Sequence, residues 1–105
     1  MTDARVVLVT APDADAAARL ARALVEERLA ACGNVVPAIR SIYRWEGSVH
    51  DEGEALLVLK TRAARVDALR ARVLELHPYQ VPEVLVLPVE AGSEAYLAWI
   101  AAETA

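Results

Sequence analysis

The sequence predicts a single α+β domain of the ferredoxin-like, split βαβ kind, ordered β-α-β-β-α-β with an added C-terminal helix. Three observations predict it. Short apolar runs at residues 6–9, 55–59 and 84–87 read as strands. Two stretches of helical period, near residues 14–30 and 62–76, separate them. A turn signal, Glu46-Gly47-Ser48-Val49, joins two long extended runs. Right-handed crossovers then place both long helices on one face of the sheet.

Val6-Val7-Leu8-Val9 is continuously apolar, which predicts a central strand buried on both faces. Thr10-Ala11-Pro12-Asp13 ends it, and Asp13 or Asp15 can cap the helix that follows. That helix is predicted to reach about residue 30, with Ala17, Leu20, Ala21 and Leu24 inward and Gly33 as its stop. Asp15–Arg19 and Arg22–Glu26 have the spacing of surface ion pairs.

A hairpin spans residues 32–61. Gly47-Ser48 suits the centre of a type II′ turn, which sets Arg44 opposite Asp51. Pro37 is expected to bend or interrupt the first strand. At about 3.3 Å per residue, residues 34–46 would run roughly 40 Å, whereas a domain of this length is roughly 33 Å across. The ribbon therefore overhangs its own domain. Residues 55–59 form its buried base and residues 50–54 a polar tip, with Ile39, Tyr43 and Trp45 as a stripe on one face. A long exposed ribbon invites edge pairing, so partner subunits are expected to cover it.

Thr61 offers an N-cap for the second helix, whose inward face is Val66, Leu69, Val73 and Leu76. His77-Pro78 ends that helix. Residues 84–87 form a fourth buried strand, and Gly92-Ser93 starts a last helix carrying Tyr96, Leu97, Trp99 and Ile100.

The 105 residues form one domain, 1–105, and its 56% hydrophobic content suits a soluble globule. The net charge of −4 and the scattered arginines leave no basic groove, so nucleic acid is excluded as a partner. Cys32 is the single cysteine, which fits a reducing compartment. No leader segment is read, and no apolar run approaches the roughly 18 residues of a membrane span. A cytoplasmic protein without membrane contact is expected.

Catalytic signatures are missing: there is no Gly-rich phosphate loop, Cys-x-x-Cys, His-x-x-x-His or Gly-x-Ser-x-Gly. No enzyme and no organic cofactor are expected. His77 reads either as a metal ligand or as a helix-ending residue with a hydrogen-bonded ring. His50 reads as part of a solvated turn. Cys32 reads as a small buried hydrophobe or a soft-metal ligand. Glu46, Glu52, Glu54 and Glu83 are carboxylates at strand ends or tips, able in pairs to hold a hard cation.

The segments Ala30-Ala31-Cys32, Tyr43-x-Trp45-Glu46-Gly47, Leu59-Lys60-Thr61 and His77-Pro78-Tyr79-x-x-Pro82-Glu83 resemble the CutA divalent-cation tolerance family. Thr10-Ala11-Pro12-Asp13 and Tyr96-Leu97-x-Trp99 fit as well, so the resemblance covers essentially the whole chain. It implies a ferredoxin-like fold, a homotrimer, and a role in the response to copper and other divalent cations. Some bacterial members carry copper ligands in the first strand and at a His-His-Pro segment. The matching positions here are Val9, Leu76 and His77, so the resemblance implies one metal ligand, His77, and weak copper or other divalent metal binding. The architecture is also similar to the PII signalling trimers. That likeness implies an alternative: a small-molecule sensor binding its ligand in an intersubunit cleft near Tyr43, Trp45, His77 and Glu83.

Overall fold

Residues 2–105 are described by the computed structural model. The elements are β1 (Ala4–Ala11), α1 (Ala14–Glu26), β2 (Cys32–Trp45), β3 (Ser48–Arg62), α2 (Val66–Leu76), β4 (Leu85–Pro88) and α3 (Glu94–Glu103). The four strands form one antiparallel sheet in the order β2-β3-β1-β4. As the continuous apolar run predicts, β1 is central, lying between β3 and β4.

Alternation along the strands divides the sheet into two faces. Val7, Val9 and Ala11 of β1 and Ala55, Leu57 and Leu59 of β3 are all fully buried. They pack with Ala16, Ala17, Leu20, Ala21 and Leu24 of α1 and Leu69 and Val73 of α2 in one core. Both long helices therefore cover the same face. The opposite face carries Val6, Leu8, Leu56 and Val58, all half-buried, and the more exposed Val36, Leu85 and Leu87. Only its end near Ala4 is covered, where Ile100 of α3 packs on Ala4 and Ala31. Among the described residues the rest of that apolar face has no layer over it.

Asp13 caps α1, its carboxylate accepting the Ala16 amide at 2.8 Å. The helix stops at Glu26 rather than near residue 30. Arg28 turns left-handed, φ 61°, and the Arg28 and Leu29 amides bond back to Val25 and Leu24 carbonyls at 3.0 and 2.9 Å. This is a Schellman stop made without glycine. Gly33 instead lies inside β2, opposite Leu59, where it lets the sheet approach α1. Of the two predicted ion pairs on α1, Arg22–Glu26 forms at 3.5 Å between well-exposed groups.

The hairpin turn is also displaced by one residue from its expected place. Trp45 pairs with Ser48, so Glu46 and Gly47 are the central residues, with φ of 49° and 81°. Positive φ at both positions makes the turn type I′, not II′. Arg44 therefore faces Val49, and Asp51 takes Arg40 as its partner through two bonds of 2.8 and 2.7 Å. That bidentate bond holds the Asp51 carboxyl below its usual range. Pro37 does not end β2. The register shifts between Val36 and Ile39, one extra residue forming a bulge.

Thr61 is not an N-cap. It is a fully buried β3 residue whose hydroxyl donates to the Leu29 carbonyl at 2.7 Å. A 3₁₀ turn, Ala63–Arg65, leads instead into α2. Leu69 and Val73 are buried as expected, Val66 partly, whereas Leu76 is exposed at the helix end. β4 is an edge strand, not a buried one, with Leu85 and Leu87 open to solvent in the single chain. The hairpin does overhang: the molecule measures 44 × 25 × 22 Å.

The two strand glycines give a matched test. A Cβ on Gly33 would meet Ala21 Cβ at 2.9 Å and Leu59 Cδ2 at 3.0 Å, whereas one on Gly53 meets nothing within 4 Å. Gly33→Ala is expected to cost about 1–3 kcal/mol through overpacking. Gly53→Ala is expected to be neutral or to stabilise by up to about 1 kcal/mol. Chemical denaturation of both variants measures the difference.

Candidate functional site

The candidate site lies where the hairpin leaves the domain, against the loop that follows α2. It is a cavity of about 530 Å³. From the hairpin come Ser41, Ile42, Tyr43, Trp45 and Glu54; from the loop, Tyr79, Gln80, Val81 and Glu83; from the end of β1, Thr10.

The bulge in β2 decides which side chains arrive there. Residues directly opposite on paired strands share a face. Before the bulge Val36 faces Leu56, so even-numbered residues of β2 lie on the face without helices. After it Ile39 faces Glu54 and Tyr43 faces His50, so the odd-numbered residues take that place. One extra residue thus moves the Ile39–Tyr43–Trp45 stripe onto the face that also presents Thr10 and Glu54.

His77 fixes the loop. It is 7% exposed and is the C-terminal cap of α2. Its Nε2 lies 2.7 Å from the Thr10 carbonyl oxygen, and its Nδ1 accepts the Tyr79 amide at 3.1 Å. An Nδ1 that accepts carries no proton, so Nε2–H donates to Thr10 and the ring is held as one neutral tautomer. The expected metal ligand therefore has both nitrogens engaged within the chain and presents no lone pair to an ion. This is the helix-ending reading of His77. It positions Tyr79, whose ring packs at 4.7 Å between centroids, and it does not itself line the cavity.

Tyr79 reaches across to the hairpin and donates to Glu54 Oε2 at 2.7 Å. Burial, then the bond to Glu54 and the carboxylates nearby, push its phenol far above the usual tyrosine range. Tyr43 donates to Glu52 Oε1 at 2.6 Å, which raises its phenol too. Its ring stacks on His50 at 5.2 Å, and His50 Nδ1 lies 3.4 Å from Glu52. His50 is thus engaged in the hairpin wall rather than free in solvent.

The structure brings Tyr43, Trp45 and Glu83 to one cavity and leaves His77 behind it as a support. Tyr79, Thr10 and Val81 escape the sequence reading, and Glu54 appears there only as one carboxylate among four. Glu46 sits in the turn and Glu52 bonds Tyr43, so neither joins Glu54 and Glu83. Cys32 is half-buried at the far end of the hairpin, its Sγ 3.6 Å from Tyr96 Oη. Among the described residues no three His, Cys, Asp or Glu side chains converge to hold a metal ion.

Removing the support should be measurable. His77→Ala leaves the Thr10 carbonyl and the Tyr79 amide unpaired and should cost about 1–3 kcal/mol. Tyr79→Phe removes one hydrogen bond and should cost about 1 kcal/mol. Urea unfolding compares them, and ¹⁵N spectra of the His77 ring should show the Nε2–H tautomer.

The chain is similar to known proteins over most of its length. A family model described as CutA1 divalent ion tolerance protein matches residues 5–103. The chain is 50% identical over 99 residues to the divalent-cation tolerance protein CutA of Thermus thermophilus, covering 94% of this chain and 96% of that one. It is 47% identical to the chloroplastic protein CutA of Arabidopsis thaliana, covering 90% of this chain but about half, 52%, of that longer protein. The solved structure of CutA from Xylella fastidiosa superposes with a TM-score of 0.96 at 39% identity, covering 99% of this chain and 100% of that one. An Archaeoglobus fulgidus structure described as a periplasmic divalent cation tolerance protein CutA gives a TM-score of 0.94 at 32% identity, covering 97% and 99%. Together with the α+β sheet and helices described above, these matches make the chain a member of the CutA1 divalent ion tolerance family.

Proposed function

We propose that the protein acts in the response to divalent cations, copper among them, as a ferredoxin-like homotrimer. The observation that carries the assembly is the uncovered sheet face. Leu85 and Leu87 are 55% and 46% exposed, Val36 39%, and the hairpin stripe adds Tyr43 at 40% and Trp45 at 42%. An antiparallel sheet with one face in water normally alternates apolar with polar residues. Here both faces are apolar and the helices cover one, so copies of the chain supply the missing layer. Closed three-fold symmetry would also cap the β2 and β4 edges.

Metal binding in this reading is weak. One imidazole is far from a four-ligand set, and both nitrogens of His77 are already bonded. Exposed carboxylates then carry what binding there is. The proposal includes a cytoplasmic location, consistent with the lone thiol, although two of the relatives above carry plastid or periplasmic names. No helix among the described residues is long and apolar enough to cross a membrane. The proposal contains no catalytic step and no organic cofactor.

A second reading, a PII-like small-molecule sensor, is favoured by the cavity itself. It joins hairpin and loop, the two parts a ligand would have to couple.

Two measurements test the first reading. Sedimentation equilibrium should give three times the 11.3 kDa chain mass for the wild type, with Leu87→Glu shifting it toward the single chain. A wild-type monomer at micromolar concentration would sink the assembly. Calorimetric titration with copper(I), copper(II) and zinc should give small heats, equal for wild type and His77→Ala. Heat lost only in the variant would return the metal to His77.

A further inference from the structure

At the end of β3 away from the hairpin turn, one corner of the sheet is covered by the chain itself. β3 ends there at Arg62, opposite Ala4 of β1, and Ile100 of α3 packs over Ala4. The neighbouring copies that the open face calls for are not needed here, because α3 supplies the layer. Thr104 caps that helix at its C-terminus. It is fully buried, and its hydroxyl donates to the Ile100 carbonyl at 2.7 Å, which fixes the last turn. Its carbonyl oxygen accepts two bonds, from Arg62 Nε at 3.1 Å and from Arg65 Nε at 2.7 Å. Both arginines are half-buried.

Two cations thus converge on one neutral oxygen. Capping the helix accounts for part of this, since a helix C-terminus carries about −0.5 of an elementary charge. Two guanidiniums against that partial charge leave an excess of about +1.5. The other charges at this turn do not remove it. Glu103 lies 3.9 Å from Arg28, so those two offset each other, and Arg28 also donates to the Ala102 carbonyl at 3.1 Å. Among the described residues no carboxylate forms an ion pair with Arg62 or Arg65. Capping also uses only the Nε–H of each guanidinium. Among the described residues the terminal Nη groups of both make no hydrogen bond.

We infer that Arg62 and Arg65 form a binding site for a phosphate-type dianion at the C-terminal end of α3. Each planar fork can donate to two oxygens of one anion, and a double negative charge neutralises both forks at once. The pair is pre-organised for this. Arg65 stands in the 3₁₀ turn, the Ala63 amide that opens the turn donates to the Asp3 carbonyl at 2.9 Å, and both Nε atoms are tethered to the buried Thr104. Binding therefore orders little that is not already ordered. The half-exposed setting keeps the affinity modest, on the order of millimolar. Because the pair exists only while α3 is docked, an anion held there also strengthens the hold of α3 on the sheet.

Nuclear magnetic resonance of the isotope-labelled full chain in its native assembly reads the site directly. At slightly alkaline pH, where phosphate is a dianion, and at constant ionic strength, inorganic phosphate should move the Nε and Cζ signals of Arg62 and Arg65. Those of Arg70, an exposed arginine paired with Asp67, should stay in place. Acetate should bind about tenfold more weakly, and chloride should move neither signal. Glycerol phosphate serves as a second dianion: whichever phosphate binds tighter tells a free ligand from an esterified one, and either result supports the pair. Arg62→Gln and Arg65→Gln should each weaken phosphate binding about fivefold or more, and Arg70→Gln should leave it unchanged. The wild-type signals give the answer without a variant if either substitution undocks α3. No movement with either phosphate overturns the inference, because a carboxylate from elsewhere in the chain or from a neighbouring copy would then already fill the pair. Equal binding of acetate overturns it too, since a single fork would suffice. Equal losses in all three variants reduce the effect to diffuse surface charge and overturn the site.

Discussion

One constraint organises the molecule: its sheet is apolar on both faces, and its long helices cover only one. The core of Val7, Val9, Leu57 and Leu59 against α1 and α2 is complete. The reverse face, from Leu85 and Leu87 across Leu8, Val58 and Leu56 to the aromatic stripe, is not. Full exposure of such a surface is costly at roughly 25 cal/mol per Å² of apolar area. The overhanging hairpin follows from the same logic. Strands of 14 and 15 residues exceed what their own domain can cover, so their outer halves need contacts the single chain does not supply.

The hairpin also shows how a one-residue event governs a site. Without the bulge at Pro37 and Ala38, strand alternation would turn Tyr43 and Trp45 toward the helix side, and Arg40 and Arg44 toward the cavity. The bulge reverses this. It sends the basic residues to the other face, where Arg40 meets Asp51, and leaves the cavity with aromatic rings and carboxylates. The sign of the charge in the cavity thus depends on a backbone irregularity as much as on composition.

Much of the fold was legible in the sequence because continuous apolar runs and helical stripes report burial directly. Two of the misplacements share one cause: local backbone choices that ignore the residue normally associated with them. Arg28 occupies a left-handed position where glycine is usual, so Gly33 looked like the helix stop. Glu46 does the same in the type I′ turn, so Gly47-Ser48 looked like its centre. Thr61 has the chemistry of a cap but is buried, its hydroxyl spent on Leu29. β4 reads as buried from its apolar run, yet it is a sheet edge, and a run of four residues does not say what covers it. The cavity was only partly legible. Tyr43, Trp45 and Glu83 stood out, but Thr10 and Glu54 come from other strands with no spacing that links them, and Tyr79, in the same loop as Glu83, shows its role only through its bond to Glu54.

His77 ties these levels together. Sequence chemistry makes imidazole the natural place to look for a metal, yet the fold uses both its nitrogens to join the end of β1 to the loop after α2. A buried imidazole with one donor and one acceptor, each matched to a backbone group, is fully satisfied, and a metal could bind only by breaking one of those bonds. The same two bonds orient Tyr79 toward Glu54 and so set the far wall of the cavity. The residue thus shapes the site by orienting Tyr79. That is why the Thr10 and His77-Pro78-Tyr79 segments, 67 residues apart at their hydrogen-bonded ends, act as one structural unit.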